Sequence, residues 1–150
     1  LRYSLYETKE VLVPIEQEIT YLKNYISLEK IRLEDKTDIE FNIDQNLTTK
    51  EIAPMLFIVF VENAFKHIGD LNDGKSSVKV SITQEENGIN FICKNTLDKT
   101  ESLNHHLEKG KSGIGLQNAK KRLKLLYPNK HKLILKEENE NYIVNLKLKF

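Results

Sequence analysis

What the sequence has little of narrows the field first. It has one cysteine, Cys93, which excludes an internal disulfide framework and fits a reducing compartment. Its charges nearly cancel, to a formal +1, so no global field draws it to nucleic acid or to an anionic membrane, and nucleic acid is not an expected partner. Its longest apolar run, Met55 to Val61, falls far short of the about 20 residues a membrane helix needs. There is no internal repeat and no low-complexity tract. No signal peptide and no initiator Met open the chain. "LRYSLYETKE" reads as the middle of something longer, so an excised fragment is expected, with any membrane anchor lying upstream. What remains is 150 residues, 39% hydrophobic and 30% charged, enough for a substantial core.

Periodicity supplies the elements. Ile15, Ile19, Leu22 and Ile26 recur at helical spacing, so a helix should run from Pro14 to about Leu33. The preceding "LRYSLYETK" could be the end of another helix. Ile39, Phe41 and Ile43 alternate as a half-buried strand. "APMLFIVFVENAFKHI" should start a buried helix near Pro54. Val78, Val80 and Ile82, the turn "ENG", then Ile89, Phe91 and Cys93 make a hairpin. Thr96 to Ser112 is polar and aperiodic, a loop long enough to be a lid. "GIGLQNAKKRLKLLY" is a helix opened by glycines and stopped by Pro128. A second hairpin turns at "NEN". The order predicts an α+β fold: a two-layer sandwich with a mixed sheet covered by helices on one face.

"GDLNDGKS", Gly69 to Ser76, satisfies the P-loop pattern, but its context is reversed. A P-loop follows a buried strand and opens a helix; here a helix precedes and an alternating strand follows. The expected reading is a polar connection. "HHLEKGKS" is a partial echo that lacks the first glycine. Its two adjacent histidines, His105 and His106, read as loop residues rather than a metal site.

Two other elements have the right context for phosphate. In "GKSGIGLQNAKKRL", Gly110, Gly113 and Gly115 allow close approach of backbone amides ahead of a helix. The alternative is a flexible hinge at a helix start. In "VENAFKH", Asn63 shares a helix face with Lys66 and His67. Asn Oδ1 is a hard oxygen suited to Mg²⁺, and Lys66 is a point charge suited to phosphate. The alternative is a helix end reaching solvent, with Lys66 and His67 as partners of its dipole.

These residues carry a resemblance. "VENAFKH" resembles the N-box, and "GIGLQNAKKRL" the second glycine box, of the GHKL nucleotide-binding superfamily. Val13, Ile15, Glu18, Tyr25, Leu28, Glu29 and Arg32 resemble the segment that follows the phospho-acceptor box in LytS-like sensor histidine kinases. "RLKLLYP" is also similar to that family. The resemblance covers essentially the whole chain. It implies the Bergerat fold with a mobile ATP lid. Residues 1–35 would end the helical histidine-kinase region, and 36–150 would form the ATP-binding domain. It implies ATP and Mg²⁺ as ligands, with Asn63 on Mg²⁺, Lys66 on phosphate and His67 lining the site. Gly110, Gly113, Ile114, Gly115 and Leu116 would wrap the phosphates, and Glu62 would help orient the acceptor chemistry. Arg122 would be structural. A response regulator, with the LytTR type as a candidate, would receive the phosphate. Dimerisation would run through upstream helices, in a cytoplasmic domain of a membrane-anchored bacterial sensor.

The sequence departs from the family in informative ways. The first glycine box has no glycines, and Asn95 stands where an Asp would accept the adenine amino group; a neutral acceptor is weaker. One turn before Asn63 stands Val59, where hydrolytic relatives carry a Glu, and valine is no general base. None of the four histidines matches the phospho-acceptor box, so the fragment alone should not autophosphorylate. A catalytic kinase domain is therefore the leading expectation, and a degenerate, non-catalytic module acting through partner contacts is the alternative.

Overall fold

A computed structural model describes residues 12–48, 51–68, 76–97 and 111–150. Seven strands and three α-helices are described. They are β1 (Val13–Pro14), α1 (Ile15–Leu33), β2 (Thr37–Ile43), β3 (Glu51–Ile52), α2 (Ile58–Lys66), β4 (Ser76–Glu85), β5 (Gly88–Thr96), α3 (Lys111–Leu126), β6 (His131–Glu138) and β7 (Asn141–Lys149).

The main sheet has the order β2-β4-β5-β7-β6. β2 pairs with β4 in parallel and every other pairing is antiparallel, so the sheet is mixed as expected. Alternation sends Val78, Val80, Ile82, Ile89, Phe91, Cys93, Val144, Leu146 and Leu148 to one face, where they meet the helices in a single core. The fold is α+β, with the helices on that face. β1 and β3 form a separate two-stranded antiparallel ladder, Val13 opposite Ile52, which periodicity did not predict because two residues carry no period.

Turn chemistry fixes the register. Asn139 (φ 52°) and Glu140 (φ 64°) both take left-handed backbone, the geometry of a two-residue hairpin turn that matches strand twist. At the other hairpin Asn87 does so at φ 63°, and Gly88 follows with no room for a side chain. A Cβ there would lie 1.9 Å from the Leu148 carbonyl oxygen.

α1 matches its predicted span, except that Pro14 precedes the first helical residue instead of occupying it. It buries Ile15, Glu18, Ile19, Leu22 and Ile26. α2 lies on β5. Phe57 stacks on Phe91 with centroids 4.6 Å apart, Phe60 tilts against the same ring at 6.1 Å, and the Cys93 thiol reaches the Phe60 carbonyl at 3.8 Å. These ring contacts add to the area that the aromatic side chains bury.

Two helix starts differ from the sequence expectation. α2 begins at Ile58, not near Pro54. Residues 53–57 turn instead, because Met55 takes φ 62° and ends any helical run through it. α3 begins at Lys111, so Gly113 and Gly115 lie within its first turns, not ahead of it. The predicted lid, Thr96 to Ser112, is shorter than expected at both ends, because Thr96 belongs to β5 and Lys111 and Ser112 to α3; residues 98–110 lie outside the described residues, as do the opening segment 1–11 and nearly all of "GDLNDGKS".

Candidate functional site

α2 presents its polar cluster at its C-terminal end. Asn63 and His67 are half-buried, while Glu62 and Lys66 are exposed. The His67 N–H donates to the Asn63 carbonyl at 3.1 Å, which carries the helix one residue further and keeps both side chains on one face. Among the described residues the Asn63 and Lys66 side chains have no hydrogen-bond or ion-pair partner. A half-buried amide without a partner is available to a ligand. The Asn63 oxygen therefore has the chemistry of a Mg²⁺ ligand and the freedom to act as one.

α3 stands beside that face. A Cβ on Gly115 would lie 3.5 Å from Val59 Cγ2, so the two backbones are close there. Val59 is one helical turn before Asn63, on the same side of α2. The two elements singled out in sequence, fifty residues apart, are thus brought together, with Gly115 against the residue that precedes Asn63 by one turn. The position that would hold a general base in a hydrolytic relative holds instead a valine in ordinary contact with α3.

Within "GIGL" the residues part company. Ile114 is exposed, but Leu116 is only 4% exposed and belongs to the core. Leu116, expected among the residues that wrap phosphate, has its side chain committed to packing. Gly110 lies outside the described residues, and so do His105 and His106.

Asn95 sits at the end of β5 at 1% exposure, and its Nδ2 donates to the Thr96 carbonyl at 3.0 Å. The donor half of the amide is therefore used, and that bond fixes which end of the amide is the acceptor. Its neighbour across the ladder is Tyr142, whose hydroxyl is buried with no partner. Burial, and secondarily the nearby Cys93 thiol, push the Tyr142 hydroxyl up to about 12.

The Glu62 carboxylate acts electrostatically on Tyr25 of α1. Burial first, and then the carboxylates of Glu29 and Glu62, push the Tyr25 hydroxyl up to about 12, and Tyr25 packs edge-on against Phe65 at 5.9 Å. No group of three or more metal-ligating His, Cys, Asp or Glu side chains occurs among the described residues, so one amide oxygen is the candidate metal contact.

Sequence reasoning named Arg122 as structural but gave Glu18 and Tyr127 no role in holding the turn before α2. Glu18 Oε1 accepts the Met55 N–H at 2.6 Å. Arg122 donates from Nη2 to the Pro54 carbonyl at 2.6 Å and from Nη1 to the Met55 carbonyl at 3.2 Å. The Tyr127 hydroxyl accepts the Ala53 N–H at 3.0 Å. All three matched family patterns, but only the fold shows that they converge on one turn.

The chain is similar to known proteins in sequence and in fold. A family model for histidine kinases matches residues 1–37. The sensor protein LytS of Bacillus cereus is 27% identical over 144 residues, which cover 91% of this chain and 24% of that protein. The chain is similar to LytS-type sensor proteins. LytS of Bacillus subtilis is 33% identical over 88 residues, 59% of this chain and 15% of its own length. The sensor histidine kinase YpdA of Escherichia coli is 28% identical over 135 residues, 85% of this chain and 23% of its own. The chain thus spans about a quarter of the LytS length. Among solved structures, the catalytic domain of the histidine kinase ThkA superposes with a TM-score of 0.67 at 12% identity, covering 93% of this chain and 94% of that one. Full-length ShkA, in complex with AMPPNP, superposes at 0.64 and 14% identity over 91% of this chain and 30% of its own. The fold is that of histidine-kinase catalytic domains. No described helix is long and apolar enough to cross a membrane.

Proposed function

We propose that the LytS-like chain is the ATP-binding catalytic part of a sensor histidine kinase. It presents the γ-phosphate of ATP to a histidine on a helix outside these 150 residues, from which a response regulator takes it. The observation that carries this reading is the approach of Gly115 to Val59, which sets the glycine-bearing start of α3 beside the Asn63 face of α2. In the roles proposed, Asn63 Oδ1 holds Mg²⁺, Lys66 and the free amides at the start of α3, those of Gly113 and Ile114 among them, hold phosphate, Gly115 and Leu116 complete the stretch that wraps it, and His67 lines the site. Asn95 offers its remaining oxygen to the adenine amino group. Mg²⁺, when bound, neutralises charge on the phosphates. The protein's own part is positioning and fixed positive charge, which is most of what phosphoryl transfer asks of an enzyme. Glu62, on the α1 side, would help orient the acceptor.

The regulator's class, with LytTR regulators as the candidate, the pairing of two copies through upstream helices and anchoring at a membrane are parts of the same proposal. So is a boundary near residue 35, which the histidine-kinase match over residues 1–37 supports. A hydrolytic ATPase is disfavoured by Val59.

Isothermal titration with ATP, with and without Mg²⁺, tests the reading. Saturable, Mg²⁺-dependent binding is expected. No binding at millimolar nucleotide would leave the non-catalytic module as the surviving alternative.

A further inference from the structure

The turn before α2 is held more tightly than packing requires. Helix α2 has no side-chain cap of its own. Its approach, residues 53–57, is fixed from outside by side chains of α1, of α3 and of the residue just after α3. Glu18 takes the Met55 N–H, Arg122 takes the Pro54 and Met55 carbonyls, and Tyr127 takes the Ala53 N–H. These partners lie 37, 67, 68 and 74 residues away in sequence.

Two details separate this arrangement from ordinary core packing. Met55 is held at φ 62°, a left-handed conformation that a residue with a side chain adopts only when something keeps it there. A carboxylate and a guanidinium grip its N–H and its C=O. Glu18 is also only 7% exposed, and the Met55 N–H is its one hydrogen-bond partner among the described residues. Packing alone would be served by a leucine, since burying a carboxylate is costly without hydrogen bonds. The position of Glu18 adds a third point. It lies on α1, inside the 1–37 segment that matches the histidine-kinase family, whereas the turn it holds opens the helix that carries Asn63.

We propose that Glu18, Arg122 and Tyr127 are positioning residues for phosphoryl transfer, and that the Glu18–Met55 bond couples the placement of α1 to the direction of α2. This inference rests on the kinase reading above. None of the three touches the ligand. Arg122 and Tyr127 lock the turn to the helix that supplies the glycines, so Asn63 and Gly115 keep one spacing. Glu18 locks the same turn to the segment leading toward the acceptor histidine. A displacement of α1 pulls on Met55 and re-aims α2, and a small misplacement at the reacting centre lowers the transfer rate more than it lowers nucleotide affinity.

Autophosphorylation kinetics of the full-length protein test the proposal. Glu18→Ala is expected to lower kcat about ten-fold, as for loss of a hydrogen bond to a charged group, with the ATP KM changed less than about two-fold. Glu18→Gln, which keeps an oxygen acceptor in place, should stay within about three-fold of wild type. In a Met55→Gly background the Glu18→Ala loss should shrink below about three-fold, because glycine takes the left-handed conformation unaided. Arg122→Met is the second probe if Glu18→Ala does not fold, with the same kcat-selective loss expected. A wild-type kcat in the variant that folds, a loss seen in KM alone, or an equal loss with and without Met55→Gly overturns the proposal. Wild-type protein that neither binds nor turns over ATP overturns the kinase reading and the proposal together; normal wild-type turnover with unaffected variants overturns the proposal alone.

Discussion

At its start, α2 is held by side chains that belong to other elements: Glu18, Arg122 and Tyr127 fix the turn, and Phe57 is stacked on Phe91. At its end, Asn63 and Lys66 have no side-chain partner among the described residues. One helix thus has a fastened end and an open end, about two turns apart. In the function proposed here, stability and ligand chemistry would be separated along it: the fastened end would set the direction of the helix and the open end would stay unsatisfied for a ligand.

The largest break in that comparison comes from the fastened end. Phe57→Ala removes a ring that is 1% exposed and should destabilise the fold by about 4 kcal/mol, seen as a lower urea midpoint. High pH should weaken the packing around both ends. The Cys93 thiol (ordinarily 9.0) and the Tyr25 and Tyr142 hydroxyls (ordinarily 10.0) are all pushed up to about 12, chiefly by burial. Folding therefore favours their neutral forms. The contribution is whole below the ordinary values and is lost as pH rises toward about 12, so urea midpoints should hold through neutral pH and then fall. At the open end the signature reverses. Asn63→Ala should weaken Mg²⁺-dependent ATP binding about ten-fold by calorimetry, while stability changes by less than about 0.5 kcal/mol. The smallest effect belongs to Gly115→Ala. The added Cβ meets Val59 Cγ2 at an ordinary 3.5 Å, so the helix should gain up to about 1 kcal/mol and ATP affinity should hold, because alanine keeps the backbone N–H. A rise in melting temperature together with lost binding would show instead that the ligand needs the bare glycine itself.

Much of this was legible beforehand. Val78–Ile82 and Ile89–Cys93 alternate strictly because one face of their hairpin is buried, and they pair as read. "VENAFKH" was legible because a polar cluster ending an apolar helix conflicts with burial, and such conflicts mark sites. The packing of Leu116 was not legible in the same way, since the motif that names it does not say that its side chain is in the core. The start of α2 misled. Pro54 is a good first helical residue by local rules, but the left-handed backbone at Met55 is imposed by partners on α1 and α3 that no local rule contains.

The sequence by itself determined most of the elements and the strand faces, and singled out candidates for a nucleotide site, because period and side-chain chemistry are local properties. Only the tertiary structure decided that β2 runs parallel to β4, that Gly115 stands against Val59 and that Glu18, Arg122 and Tyr127 close on one turn. Those are contacts between residues far apart in the chain, and their geometry exists only once the core that unites α1, α2, α3 and the sheet has formed.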